Sequence, residues 1–296
     1  MKLVSTKSSA SFRQHATPQL FVELVQEAIT DLSRRNIEVV PGSRILKCKR
    51  TLNAAMELGA TAVPAIDLVQ ASLDASQLSA ALRYAPSHNE EVDYNNKLLI
   101  ALKDAAEISD SDANTPGRDV QFELFAYASW RSAGLACRLG IPPEPDLVLP
   151  FAIGEVGAEA KRIKSGKQVK ERILKANKQL KAMPLGGFVM TDVSLLLGLP
   201  LIDAAPSAAL NILASQVWAF MEPRAAALHA KINPSRCFAW LCYARGLNIQ
   251  ANNRFSFVST WVLLNFADMS DERCRLLWDA SDRLTQAMMG RSRIGT

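Results

Sequence analysis

The sequence predicts an α/β core of helix, three strands, helix and strand, flanked by mostly helical N- and C-terminal regions. Three observations carry this expectation. Short apolar runs suited to strands fall between Leu135 and Thr191. Helical apolar spacing dominates on both sides of that stretch. A polar, Pro/Gly-terminated segment, Ser109–Gly117, marks a linker ahead of it. The expected division is a helical region over 1–115, the core over 116–200, and a helical region over 201–296 that packs on the core.

In the first region, Thr17-Pro18 is a cap followed by a first-turn proline. Leu20, Leu24, Ile29 and Leu32 then give a helical spacing up to Arg34-Arg35. Further helical patterns run over Ser43–Leu58, Asp67–Tyr84 and Tyr94–Ile108, with no alternating β-branched run between them. After the linker, Arg118–Ala133 reads as a helix ending at Gly134, a residue suited to a left-handed C-terminal position. Leu135–Leu139, Leu147–Phe151 and Val156–Ile163 are strand candidates. Ser165 could cap a basic helix reaching about Ala182, and Gly186-Gly187 turns into a fourth strand, Phe188–Thr191. Beyond Leu195 the reading is helical, including Ala208–Phe220, Pro234–Ala244 and Asp271–Met289.

An apolar share of 49% and a charged share of 21% over 296 residues exclude a disordered chain. Cys48, Cys137, Cys237, Cys242 and Cys274 are odd in number and scattered, without a CxxC pair, which disfavours a disulfide scaffold and points to a reducing interior. His15, His88 and His229 have no partners at zinc-site or catalytic spacing. The opening residues lack a continuous apolar signal segment. The longest uncharged stretch, Ala204–Met221, holds Pro206, Asn211 and Gln216, so a buried helix is expected rather than a membrane span. The expectation is a soluble cytoplasmic protein without a membrane partner.

The chemistry concentrates around Pro145-Asp146 and Glu159-Ala160-Lys161. Residues two apart on a strand share a face, so Glu159 and Lys161 point one way, while Ala158 and Ala160 offer a smooth face to a helix. A hairpin turning near Ala152-Ile153 would set Asp146 opposite Glu159. Two carboxylates and an ammonium then share one cluster. Such oxygen donors suit a hard cation, Mg²⁺ or Mn²⁺, with the Ala160 backbone carbonyl as a further ligand candidate. Lys161 would orient the attacking water and steady negative charge. Glu155 lies near enough to compete as the acidic ligand, but only Glu159 stands two before a lysine.

Between Lys161 and Lys181 stand nine basic residues and one acid, Glu171, a local excess of +8 against +5 for the whole chain. Ordinary solvated faces mix signs, so this run favours contact with a phosphate backbone. Arg162, Lys164, Lys167, Lys170, Lys175 and Lys178 are the candidates, with Val169, Ile173, Ala176 and Leu180 forming the inward stripe. Asp192 could touch the site or cap the turn that follows the last core strand, and the cap is the favoured reading.

The stretches GAEAKRIKS and GGFVMTDVS, with the element order around them, resemble the PD-(D/E)XK nuclease superfamily, and are similar to its bacterial members. The resemblance covers Arg118–Ser194 and implies a restriction-endonuclease-like mixed sheet. It implies a metal-directed acid on the first core helix, matched by Glu123, and a polar residue near the site on the helix after the catalytic strand, matched by Gln168. The activity implied is hydrolysis of nucleic acid phosphodiester bonds, DNA above RNA, through Asp146, Glu159, Lys161 and Glu123. The alternative is a catalytically inactive nuclease-fold protein that binds DNA or a protein partner. The flanking regions could read a target, bind a partner or form a homodimer.

Overall fold

A computed structural model describes residues 9–10, 17–86, 91–102, 116–197, 201–202, 204–249 and 255–289. The N-terminal helices are α1 (Pro18–Arg34), α2 (Arg44–Leu58), α3 (Ala65–Arg83) and α4 (Glu91–Leu102). Thr17 caps α1 by accepting from the Leu20 amide, with Pro18 in the first turn. Phe21, Val25, Ala28 and Leu32 form its buried stripe. Helix α3 is buried on nearly every side, polar Gln70, Ser72, Asp74 and Gln77 included. The expected linker lies outside the described residues except Pro116 and Gly117, which open α5 (Pro116–Ser132).

At the end of α5, Gly134 takes φ 79°, its amide donates to the Arg131 carbonyl, and the Leu135 amide reaches back to that of Trp130. This pair of bonds closes the helix as the glycine implied. The strands β2 (Arg138–Leu139), β3 (Leu147–Phe151) and β4 (Gly154–Arg162) follow, then α6 (Gln168–Gln179) and β5 (Gly187–Asp192). The expected order of helix, three strands, helix and strand is therefore present. The remainder comprises β6 (Leu201–Ile202), α7 (Pro206–His229), β7 (Cys237–Ile249), β8 (Phe255–Asn265) and α8 (Glu272–Met289).

Together with β1 (Ser9–Ala10), these strands make one eight-stranded mixed sheet in the order β1-β8-β7-β5-β4-β3-β2, with β6 beside the far end of β7. Pairing is parallel between β4 and β5 and between β5 and β7, and antiparallel between β3 and β4 and between β7 and β8. Helices α1–α5 and α8 share one apolar core with one face of the sheet, and α6 and α7 share a second with the other. The fold is a mixed α/β sheet between helical layers.

One part of the helical reading is corrected. Of Pro234–Ala244, expected as helix, residues 234–236 form a turn and Cys237–Ala244 opens the 13-residue strand β7, and β8 adds 11 more strand residues from the C-terminal region. Both strands are covered on both faces, so CFAWLCYARGLNI shows no apolar/polar alternation. A continuous apolar run of this kind suits a buried helix and a buried strand equally, until its neighbours are known. From Pro206 onward the uncharged stretch lies in α7, and among the described residues no helix is long and apolar enough to cross a membrane.

A buried polar chain joins the N-terminal helices to the sheet. Arg162 at the end of β4 donates to Gln70 (2.6 Å), and Gln70 donates to Asp74 (2.6 Å). Gln121 of α5 donates to Asp74 (3.1 Å) and Gln77 (2.7 Å), and Gln77 donates to Asp192 of β5 (3.3 Å). Buried polar groups require such partners.

Candidate active site

The β3/β4 hairpin pairs Leu147 with Ala158 and Phe151 with Gly154, so Asp146 stands one step past the last pair, level with Glu159. There the Ala160 amide donates to Asp146 Oδ2 (2.9 Å). The N–H and C=O of one strand residue point to the same side, so the Ala160 carbonyl also faces outward past the end of β3. Lys161 Nζ lies 2.8 Å from Asp146 Oδ2 and touches Glu159 Oε2. Ala158 and Ala160 belong to the core shared with α5, the close helix packing that their small side chains allow.

Helix α5 brings Glu123 to the same cluster, where its carboxyl is hydrogen-bonded to that of Asp146. The structure therefore places Asp146, Glu159, Lys161 and Glu123 together. Glu155 is not among them, because it is exposed and paired with Arg138 (3.1 Å).

The electrostatics follow from burial. Glu159 is fully buried, and burial together with the Asp146 carboxylate pushes its pKa up to about 7. Burial and the same carboxylate raise Glu123 to about 8. Burial also acts upward on Asp146, but the Lys161 ammonium and bonds from Glu123 and the Ala160 amide outweigh it and hold the group below its ordinary value. Burial acts to lower Lys161, and the carboxylates of Asp146 and Glu159 reverse this, so its pKa lies above the usual lysine value. Glu159 Oε1 is buried without a hydrogen-bond partner.

Two further charged groups escaped the sequence reading. Lys97 of α4 holds Glu123 through both carboxylate oxygens, at 2.8 and 3.0 Å. Nothing in the spacing of the sequence links positions 97 and 123. Asp119 lies one helical turn before Glu123 and pairs with Arg172 of α6 (3.8 Å). Burial raises its pKa despite Arg172, Lys164, Arg162 and Lys161 nearby. Its i, i+4 spacing from Glu123 was the available signal.

The basic candidates separate into two groups. Lys167, Lys170, Lys175 and Lys178 are exposed along α6, over the buried stripe Val169, Ile173, Ala176 and Leu180. Lys164 and Gln168 are half-buried beside the start of α6. Arg162 is a correction. It is 3% exposed and bonded to Gln70, which withdraws it from any phosphate surface. Its even position on β4 turns it to the face that α3 and α5 cover, with Ala158 and Ala160 and opposite Glu159 and Lys161. Asp192 caps its turn as expected, accepting from the Ser194 amide at 2.9 Å. His15 and His88 lie outside the described residues.

No known family model, curated protein or solved structure matches the chain.

Among the described residues, no three His, Cys, Asp or Glu side chains are arranged ready to hold a metal ion. The Lys161 ammonium bridges Asp146 and Glu159. The donor chemistry nevertheless fits a hard divalent cation, since every acidic donor is an oxygen and Glu159 Oε1 is buried and unpartnered.

Proposed function

We propose that this chain is a metal-dependent phosphodiesterase of the PD-(D/E)XK type, acting on nucleic acid with DNA favoured over RNA. One observation carries the reading. Asp146, Glu159 and Lys161, drawn from the end of a hairpin, meet within ion-pair distance, and Glu123 joins them from a helix. The succession of α5, β2–β4, α6 and β5 supports it, with β3/β4 antiparallel and β4/β5 parallel.

Asp146, Glu159, Glu123 and the Ala160 carbonyl would hold Mg²⁺ or Mn²⁺. Such an ion would neutralise charge on the scissile phosphate and acidify a water. Lys161 stays protonated at neutral pH, so its ammonium would orient the attacking water and balance negative charge developing on the phosphate oxygens. Glu159, beneath the surface, fixes the lysine from below. The exposed lysines of α6 would hold the backbone of the strand without reading sequence.

Plasmid cleavage tests the reading. Nicking that requires Mg²⁺ or Mn²⁺, and is lost in Lys161→Ala while the circular dichroism spectrum is retained, is the expected result. Undiminished cleavage by that variant sinks the mechanism. A second reading, a nuclease-fold protein that binds DNA or a protein partner without cutting, is favoured by the ammonium lodged between the two carboxylates. DNA binding without nicking in either metal would select it.

A further inference from the structure

A cavity of about 330 Å³ opens between α1, α3 and α5, and none of its lining residues belongs to the carboxylate cluster. Leu20, Leu24, Ala80 and Phe125 supply apolar wall, and Arg245 of β7 also lines it. Arg245 is 1% exposed. Its Nε donates to Ser259 Oγ (2.8 Å), and its Nη1 donates to the Ser72 carbonyl and Ser76 Oγ, both at 2.6 Å. Its guanidinium carbon lies 5.2 Å from the centre of the Phe21 ring. Among the described residues no ion pair joins it to a carboxylate, and its remaining polar neighbour is the Tyr243 hydroxyl, which is hydrogen-bonded to it. A buried charge held only by neutral groups is costly to maintain, and a guanidinium is matched best by a carboxylate or phosphate.

The rim narrows the choice of anion. Glu23 and Glu27 line the cavity on its exposed side, where Glu23 accepts from Gln19 (2.9 Å) and Glu27 pairs with Arg83 (2.8 Å). Both rim acids are thus occupied away from Arg245. Together they disfavour a nucleotide or other polyanion at the mouth. The apolar wall favours an organic body over a bare ion.

We infer that this cavity binds a small monocarboxylate with an apolar body, its carboxylate received by the Arg245 guanidinium. The full chain titrated with octanoate, octanol and inorganic phosphate in a calorimeter tests this. Octanoate is expected to bind at one site. Loss of a charge-assisted bond makes octanol roughly tenfold weaker or more, and phosphate alone gives no binding. Arg245→Met should weaken octanoate by a similar factor. Ala80→Phe fills the cavity while leaving the guanidinium in place, and should abolish binding even if the first variant folds poorly. No octanoate binding at millimolar concentration overturns the inference. So does octanol binding as tightly as octanoate, phosphate binding as tightly as octanoate, or wild-type affinity in a folded variant of either kind.

Discussion

Lys97 acts on the candidate site through Glu123, outside the cluster of Asp146, Glu159 and Lys161. Its ammonium restrains the upward shift that burial and Asp146 impose on Glu123. Lys97→Met is therefore expected to raise the Glu123 pKa further above about 8, as read by carboxyl NMR in chelator-containing buffer. An unchanged titration would show that the ion pair does not bear on Glu123. Glu159 gives a stability prediction with a definite sign. Its pKa is about 7 in the fold against 4.5 for an unperturbed glutamate. The fold thus favours the protonated form. The associated stability is fully present below about pH 4.5 and lost as pH rises through about 7. In chelated protein, Glu159→Gln should flatten this decline, by an amount on the order of 3 kcal/mol between those limits. Urea unfolding at a series of pH values measures it, and parallel curves for the two proteins would refute the shift. Asp146, Glu159 and Lys161 were legible because strand alternation and one short turn fix their relation. Lys97 was illegible because its meeting with Glu123 depends on how two helices pack.

The exposed lysines of α6 are a property of the whole helix. Each lysine on a phosphate releases counterions, steepening the fall of affinity with salt by about 0.9 in log–log slope. Replacing Lys167, Lys170, Lys175 and Lys178 by Ala should reduce the slope for duplex binding by about three to four, measured by fluorescence anisotropy. An unaltered slope would assign those lysines to ordinary solvation. At the start of β5, Gly186 adopts φ 64°, and a Cβ on Gly187 would lie 2.1 Å from the Gly157 carbonyl oxygen. Gly187→Ala must therefore push β5 away from β4. A loss of about 1–3 kcal/mol is expected in urea unfolding, from overpacking against backbone. The glycine pair was readable as a turn, and the close approach behind Gly187 was not. The basic helix was legible for a similar reason to the hairpin, since its apolar stripe is strictly periodic. Strands β7 and β8 were not, because burial on both faces erases the alternation that marks a strand.

At the scale of the molecule, strands from both sides of the expected boundary at 200 belong to one sheet. β5 has β4 on one side and β7 on the other, and a single apolar core extends from Phe21 through Trp130 and Phe238 to Leu284. A fragment of residues 116–200 would expose the β7 flank of β5 and the faces of α5 that α3 and α4 cover. The expectation is that this fragment shows no cooperative thermal transition, whereas the full chain melts in one step. A folded, cooperative fragment would show the core to be an independent unit. The class of the fold was legible from local patterns. The order of strands was not, since it depends on partners more than 40 residues apart.

The hydrogen-bonded chain from Arg162 through Gln70, Asp74, Gln121 and Gln77 to Asp192 has a consequence for how such a sequence can drift. Each buried member supplies a hydrogen-bond partner to the next, so changing one strands another. Substitutions along it should survive only as matched sets, and related chains should either keep the whole group or exchange it together for hydrocarbon.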